Sequence, residues 1–423
     1  MTLLRWELKK IWRPGLLLAI ALIGLVFYDV RPGFYIEHFR GNGSDSAFWL
    51  ASDWLERYGT TIEPEERLEL DGQKAAMVAE FDRQIKEVPG AAEAGITDYE
   101  RFLDWEENDR RSMPTEENSK LFWAIYDHTN QDSLDELTEF MENYDTLAAG
   151  GTPGVWGTEV GPYSPAHGPS IRRLDGIERT EVRGILPRAL VVSADDFFHY
   201  FAIWCVFSAV LLLSPTLVRD RLRRTRPMQG TSRRGRGVLR AQMGAALLSG
   251  LLLALLNCAI YLGPILATGA LRFWNCTLVS VWDGFSFPWF DWTYGQYLLI
   301  LLGMTFLLTL AASGFTVVLS WFSGSYVAML LKAIPLIFVL CWGGVPWIMA
   351  AHRPAGDGDS LCPSGGTGGP AAVRTDPPPP AEIRDVTKRP PAEFSAGGRF
   401  VRQGVSPPAC PRGAGGGRPQ TRC

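Results

Sequence analysis

Charged residues are absent from five long stretches of the chain: 14–28, 197–218, 241–271, 292–331 and 333–351. A hydrocarbon layer of ~30 Å takes about 20 apolar helical residues. The stretches therefore predict membrane-spanning helices over 14–30, 197–218, 241–271, 296–322 and 326–351. Ahead of the first, MTLLRWELKKIWR sets Leu4, Leu8, Ile11 and Trp12 at helical spacing among Arg5, Lys9, Lys10 and Arg13. That pattern predicts an amphipathic helix over 1–13, lying in a membrane interface. The run ends Val26-Phe27-Tyr28-Asp29, without the small residues of a cleavage site, so an uncleaved signal anchor is expected.

Between the first two runs the pattern changes. Residues 37–196 carry 34 acidic and 15 basic side chains, with helical punctuation instead of strand alternation. Thr97-x-x-Glu100 and Ser133-x-x-Glu136 read as capping boxes, and Pro64 followed by Glu65 and Glu66 reads as a helix first turn. Helices are predicted over 63–88, 97–111 and 133–144, a Gly/Pro-rich loop over 146–169, and a helix over 171–186. Trp54, Leu55, Phe81, Phe102, Leu103, Trp105, Phe122, Trp123, Phe140 and Met141 supply a candidate core for one soluble helical domain. The whole reads as an all-α polytopic membrane protein with about five spans and this large extracytoplasmic domain inserted between spans one and two.

Composition adds the orientation. The net charge of −4 is unremarkable, but its distribution is not. Lys and Arg concentrate on the cytoplasmic side of membranes. The N-terminus and the connection 219–240, with nine arginines and the single acid Asp220, are thereby predicted inside the plasma membrane of a bacterial cell. The acidic 37–196 region and the loop 272–292 are predicted outside. Residues 354–423 hold 13 Gly and 13 Pro among 70 and have no apolar periodicity, which predicts a disordered tail. Its Pro/Gly/Ala/Arg text resembles a GC-rich gene read in another frame, with a sixth span lost. Seven cysteines, none between 37 and 196 and three inside predicted spans, make no disulfide framework.

No phosphate-binding loop, His-Glu-x-x-His, Cys-x-x-Cys or Gly-x-Ser-x-Gly motif occurs, and the five histidines are scattered. No catalytic residue and no metal ligand is assigned. The acids Asp98, Glu100, Asp104, Glu106, Glu107 and Asp109 point several ways on a helix and read as a solvated face. The richest segment is LVRDRLRRTRPMQGTSRRGRGVLR. It reads as a docking surface for a soluble partner, with Arg219, Arg221, Arg223, Arg224 and Arg226 on a helical extension of span two. Pro227 stops that helix, Ser232 caps the next, and Arg233 and Arg234 follow the turn. A plain topology signal is the simpler alternative; nucleic-acid binding is disfavoured because the loop has no docking fold.

The ELKKIW start, one anchor span, a long outside helical region and SPTLVRDRLRRTRPMQGTSRRGR between spans two and three resemble the membrane permease subunits of bacterial type-2 ATP-binding-cassette exporters. The resemblance covers roughly 1–350. It implies a six-span half-transporter that pairs with a second permease and docks on a separate cytoplasmic ATPase. ATP and Mg would then lie on that partner, with no cofactor on this chain. Five spans and the tail depart from the family pattern. A membrane sensor or scaffold, whose outside domain binds a ligand without transport, is the alternative.

Within the spans, Ala246, Gly250 and Ala254 recur every four residues with Asn257 one turn on, which predicts a helix-packing face. Lys332 is expected to snorkel to the interface. Trp274, Trp282, Phe285, Phe287, Trp289, Phe290 and Trp292 are expected to form an aromatic belt at the outer boundary.

Overall fold

The computed structural model describes residues 2–41, 43–109, 116–151, 179–222, 235–283, 288 and 290–339. The tail, the greater part of the loop 146–169 and the second half of the predicted fifth span lie outside the described residues. Thirteen α-helices are described. α1 (Thr2–Ile11) is bent by 50° from α2 (Pro14–Val30). The bend falls where Arg13 is extended and Pro14 opens the next helix, a position where its missing N–H costs nothing. α3 (Pro32–Glu37), α4 (Ser46–Arg57), α5 (Pro64–Gln84), α6 (Tyr99–Asp104), α7 (Glu116–His128) and α8 (Gln131–Ala148) follow. The chain then returns in α9 (Arg188–Leu222), α10 (Gly235–Tyr261), α11 (Gly263–Ala267), α12 (Tyr294–Trp321) and α13 (Tyr326–Val339).

Among the described residues three stretches are long and apolar enough to cross a membrane: Arg188–Pro215, Arg240–Ala267 and Tyr294–Ser320. The bent pair α1–α2 makes a fourth if counted as one span, and the apolar part of α13, Tyr326–Pro335, is shorter. Among the described residues three to four spans are seen where five are predicted, and α13 is described to Val339, within the predicted fifth span. α9 is the central beam. It packs against α12, α10, α2, α3 and α13, and its apolar window is 72 % buried against 44 % and 33 % for those in α10 and α12.

Helix starts in the polar region follow the sequence reading at α5 and differ from it at α6 and α8. Glu63 and Glu66 close a capping box at the start of α5, with Pro64 in the first turn. At α6 the cap is Asp98, whose carboxylate accepts from the Arg101 backbone at 2.9 Å, while Thr97 only donates to Asp98. α8 opens two residues before Ser133, whose hydroxyl donates across to Ser46 at 3.1 Å. In the described part of the predicted helix 97–111, one turn and a half of α-helix is followed by a wider helical turn over Trp105–Asp109. In the described part of 171–186, only Arg179–Glu181 is helical. Gly184 is extended and bridges both Thr61 and Ser280. A Cβ there would stand 2.5 Å from the Val279 carbonyl, so only glycine permits the approach.

Among the described residues two hydrophobic clusters divide the polar region. The outer one holds Phe81, Ile85, Phe102, Trp105, Phe122 and Ile125. The inner one joins Trp54, Phe140, Met141 and Tyr144 to Phe197, Phe201 and Trp204 of α9 in a single continuous core. Leu103 and Trp123, predicted inside, are 43 % and 62 % exposed. Trp282 is a further correction. Instead of joining an aromatic belt it is buried, stacked on Trp54 at 5.4 Å and edge-on to Phe140 at 4.8 Å. Trp274 is 39 % exposed beside Gly295, Phe290 stacks on Trp292, and Phe285, Phe287 and Trp289 lie outside the described residues.

Candidate functional site

The basic connection lies partly within the described residues. α9 continues through Arg219 and Arg221 to Leu222, as a direct extension of its apolar segment. Arg223, Arg224, Arg226, Arg233 and Arg234, with Pro227 and Ser232, lie outside the described residues. α1 packs at the same end of the bundle, against α10 and α9. Its Leu4 lies against Gly244, Ile11 is buried, and the Trp12 indole N–H donates to the Ser249 hydroxyl at 3.1 Å. Glu7, 6 % exposed, is paired with Lys10 at 2.7 Å. At this end too, Lys332 donates to the Phe322 carbonyl at 2.7 Å, placing its ammonium at the turn between α12 and α13.

The small-residue face of α10 turns inward. Ala246, Gly250 and Ala254 are buried, and a Cβ on Gly250 would stand 2.1 Å from the Ser313 hydroxyl of α12. Asn257, 5 % exposed, accepts from the Trp204 indole at 3.3 Å and donates to Ser208 at 3.1 Å, with Cys205 sulfur at 3.7 Å. Its amide thus binds α10 to α9. One turn on, the Tyr261 hydroxyl donates to the Gly24 carbonyl at 2.7 Å, and the bare Cα of Gly24 admits the Trp204 ring. Every polar group of this joint has a protein partner, which suits a packing seam.

The opposite end of the bundle carries groups that sequence reasoning passed over. Asp195 and Asp196 sit where the second turn of α9 passes into the third, Tyr35 of α3 stacks on Tyr200 at 5.3 Å, and the Arg31 guanidinium covers that ring at 5.5 Å. Burial, with Asp196 nearby, raises the Tyr35 phenol. The available signal was two adjacent acids at the head of an apolar run, read only as the edge of the acidic region. Nearby, Arg40 donates through Nε to the Thr268 carbonyl at 2.8 Å, beneath Phe48 and Trp49.

A second acidic set lies on α8. Asp135 accepts from the Tyr126 hydroxyl of α7 and from Gln131. Burial pushes the Asp135 carboxyl up to about 6 and Glu136, further raised by Glu139, Asp132 and Asp135, up to about 7. No set of three or more metal-binding side chains comes together among the described residues.

The fold is thus a helical one with apolar helices compatible with a membrane protein. No family model matches the chain, and neither the curated proteins nor the solved structures contain a match.

Proposed function

We propose that the chain is the membrane permease subunit of an ATP-binding-cassette exporter, energised by a separate cytoplasmic ATPase and paired with a second permease. The observation that carries this reading is the shared location of α1 and the arginine-bearing end of α9, opposite the acidic helical region. A charged helix that is continuous with a span, braced by an amphipathic helix, is a lever. Force applied to Arg219 and Arg221 acts directly on the most buried helix of the bundle. In this reading ATP and Mg bind the partner, and the chain contributes movement and a path. The acidic region faces outward and the chain lies in the plasma membrane with its N-terminus inside.

The test is affinity purification of the full chain from its own membranes. An ATPase subunit should accompany it in near-stoichiometric amount. Reversing Arg221, Arg223 and Arg224 to Glu should remove that subunit while leaving membrane insertion intact. Exposed charge contacts contribute about 0–1 kcal/mol each, so the triple change is needed and single changes should have little effect. An unchanged ATPase yield from the inserted triple variant would reduce the connection to a topology signal.

A further inference from the structure

Where α2 and α10 end, the chain builds a cleft of about 780 Å³, within the size range of ligand sites. The residues that matter in it are Glu37, His38, Arg40, Asp45, Asp132 and Thr268, from three separated parts of the sequence. Its level in the bundle is set by its neighbours. The apolar segment Arg240–Ala267 stops at the cleft wall, and Val30 ends α2 just before α3 reaches it. On the helices that lead to the cleft, the apolar side chains of Val30, Phe34, Ile260 and Leu266 are all exposed. Phe34 also stacks on His38 of the cleft at 4.3 Å. A molecule seated here has a polar pocket at one end and a greasy flank at the other.

The polar groups specify both signs of charge. The Arg40 side chain is fixed by its Nε bond to Thr268 and by the Phe48 and Trp49 rings at 5.1 and 4.9 Å. Its two terminal nitrogens have no hydrogen-bond partner among the described residues, and a guanidinium is suited to a phosphate. Three carboxylates line the same cleft. Asp45 accepts from the Trp49 indole at 2.7 Å and Asp132 from the Ser46 hydroxyl at 3.2 Å, each with lone pairs left, and Glu37 is exposed. Three acids against one arginine disfavour a simple anion, and Arg40 disfavours a simple cation. The ammonium that fits is one that donates hydrogen bonds. A choline group lacks donors, and the aromatic faces that would cage it are already covered by Arg40.

We propose that this cleft holds the headgroup of a zwitterionic phospholipid with a primary ammonium, such as phosphatidylethanolamine. Its phosphate lies on Arg40, its ammonium among Asp45, Asp132 and Glu37, and its acyl chains along Phe34, Ile260 and Leu266. The site rests on the placement of α2 and α10 in a bilayer and is independent of the exporter reading.

The test uses the full chain in nanodiscs of equal parts phosphatidylethanolamine, phosphatidylcholine and phosphatidylglycerol, followed by native mass spectrometry of the lipids it retains. The wild type should retain phosphatidylethanolamine preferentially. Arg40→Gln should lower that retention about tenfold, the scale of one lost charged hydrogen bond. The near-isosteric pair Asp45→Asn with Asp132→Asn should instead erase the preference over phosphatidylglycerol, and it guards against a folding defect in the arginine variant. Arg57→Gln, an exposed residue paired with Asp53, is the control. Retention of the three lipids in the proportions supplied would overturn the proposal. So would unchanged retention by folded Arg40→Gln, or free glycerophosphoethanolamine binding the lipid-free chain as tightly as the lipid does.

Discussion

Single residues hold the bundle together at a few identifiable points. Asn257 ties α10 to Trp204 and Ser208 of α9, so Asn257→Leu leaves a buried indole N–H without its acceptor. The cost should be about 1–2 kcal/mol, read as a lower unfolding temperature in detergent. Gly250→Leu drives a side chain into Ser313 and should cost about 1–3 kcal/mol by overpacking, whereas Gly237→Leu, in open space, should not. The acids of α8 set a pH dependence. Asp135 and Glu136 are raised to about 6 and about 7 from 3.8 and 4.5 by burial, with Asp132, Glu139 and Glu106 as charged neighbours and the Tyr126 hydroxyl opposing the shift at Asp135. The folded chain therefore binds more protons than the unfolded chain between these values. The contribution of the pair is fully present below about pH 4 and is lost as pH rises through 6 to 7. Unfolding temperatures from pH 4 to 8 should decline over that window in the wild type. Asp135→Asn with Glu136→Gln should flatten the decline.

Among elements, α8 is the strut on which the polar region depends. Its Leu134 enters the outer cluster, while Leu137, Phe140, Met141 and Tyr144 enter the core shared with α9. Arg67 of α5 grips it through both oxygens of Asp145 at 3.0 and 2.6 Å. Trp282 closes the far side, so Trp282→Ala should cost about 3–5 kcal/mol in chemical or thermal unfolding. A belt residue facing lipid would cost far less. This element also marks what could be read from sequence. The apolar periodicity that places Phe140 and Met141 inside is local, and so are the Pro64 helix start and the Arg13–Pro14 break. Trp282 looked like a belt residue because its immediate neighbours are aromatic; its partner Trp54 lies in a remote part of the chain. Ser133 lost its capping role to a tertiary bond with Ser46 for the same reason. The Arg40 cleft was invisible to a linear reading, since Glu37–Asp45, Asp132 and Thr268 meet only in the fold.

At the scale of the molecule, the continuous core revises the idea of an independent outside domain. A fragment covering 37–196 takes only part of its core with it, because Trp54 and Phe140 pack on Trp282, and Phe48 on Phe273. The fragment should be helical by far-ultraviolet circular dichroism yet unfold without a sharp cooperative transition. A sharp transition matching that of the full chain would show that the shared core contributes little. The exporter reading itself requires that the acidic helices and the arginine connection stand on opposite sides of one membrane. The direct measurement is labelling of single cysteines by an impermeant thiol reagent in intact cells, with the native cysteines replaced by serine. Asp104→Cys should label without permeabilisation, and Gly230→Cys only after it. Labelling of the Gly230→Cys variant in sealed cells would place the basic connection outside and contradict the account.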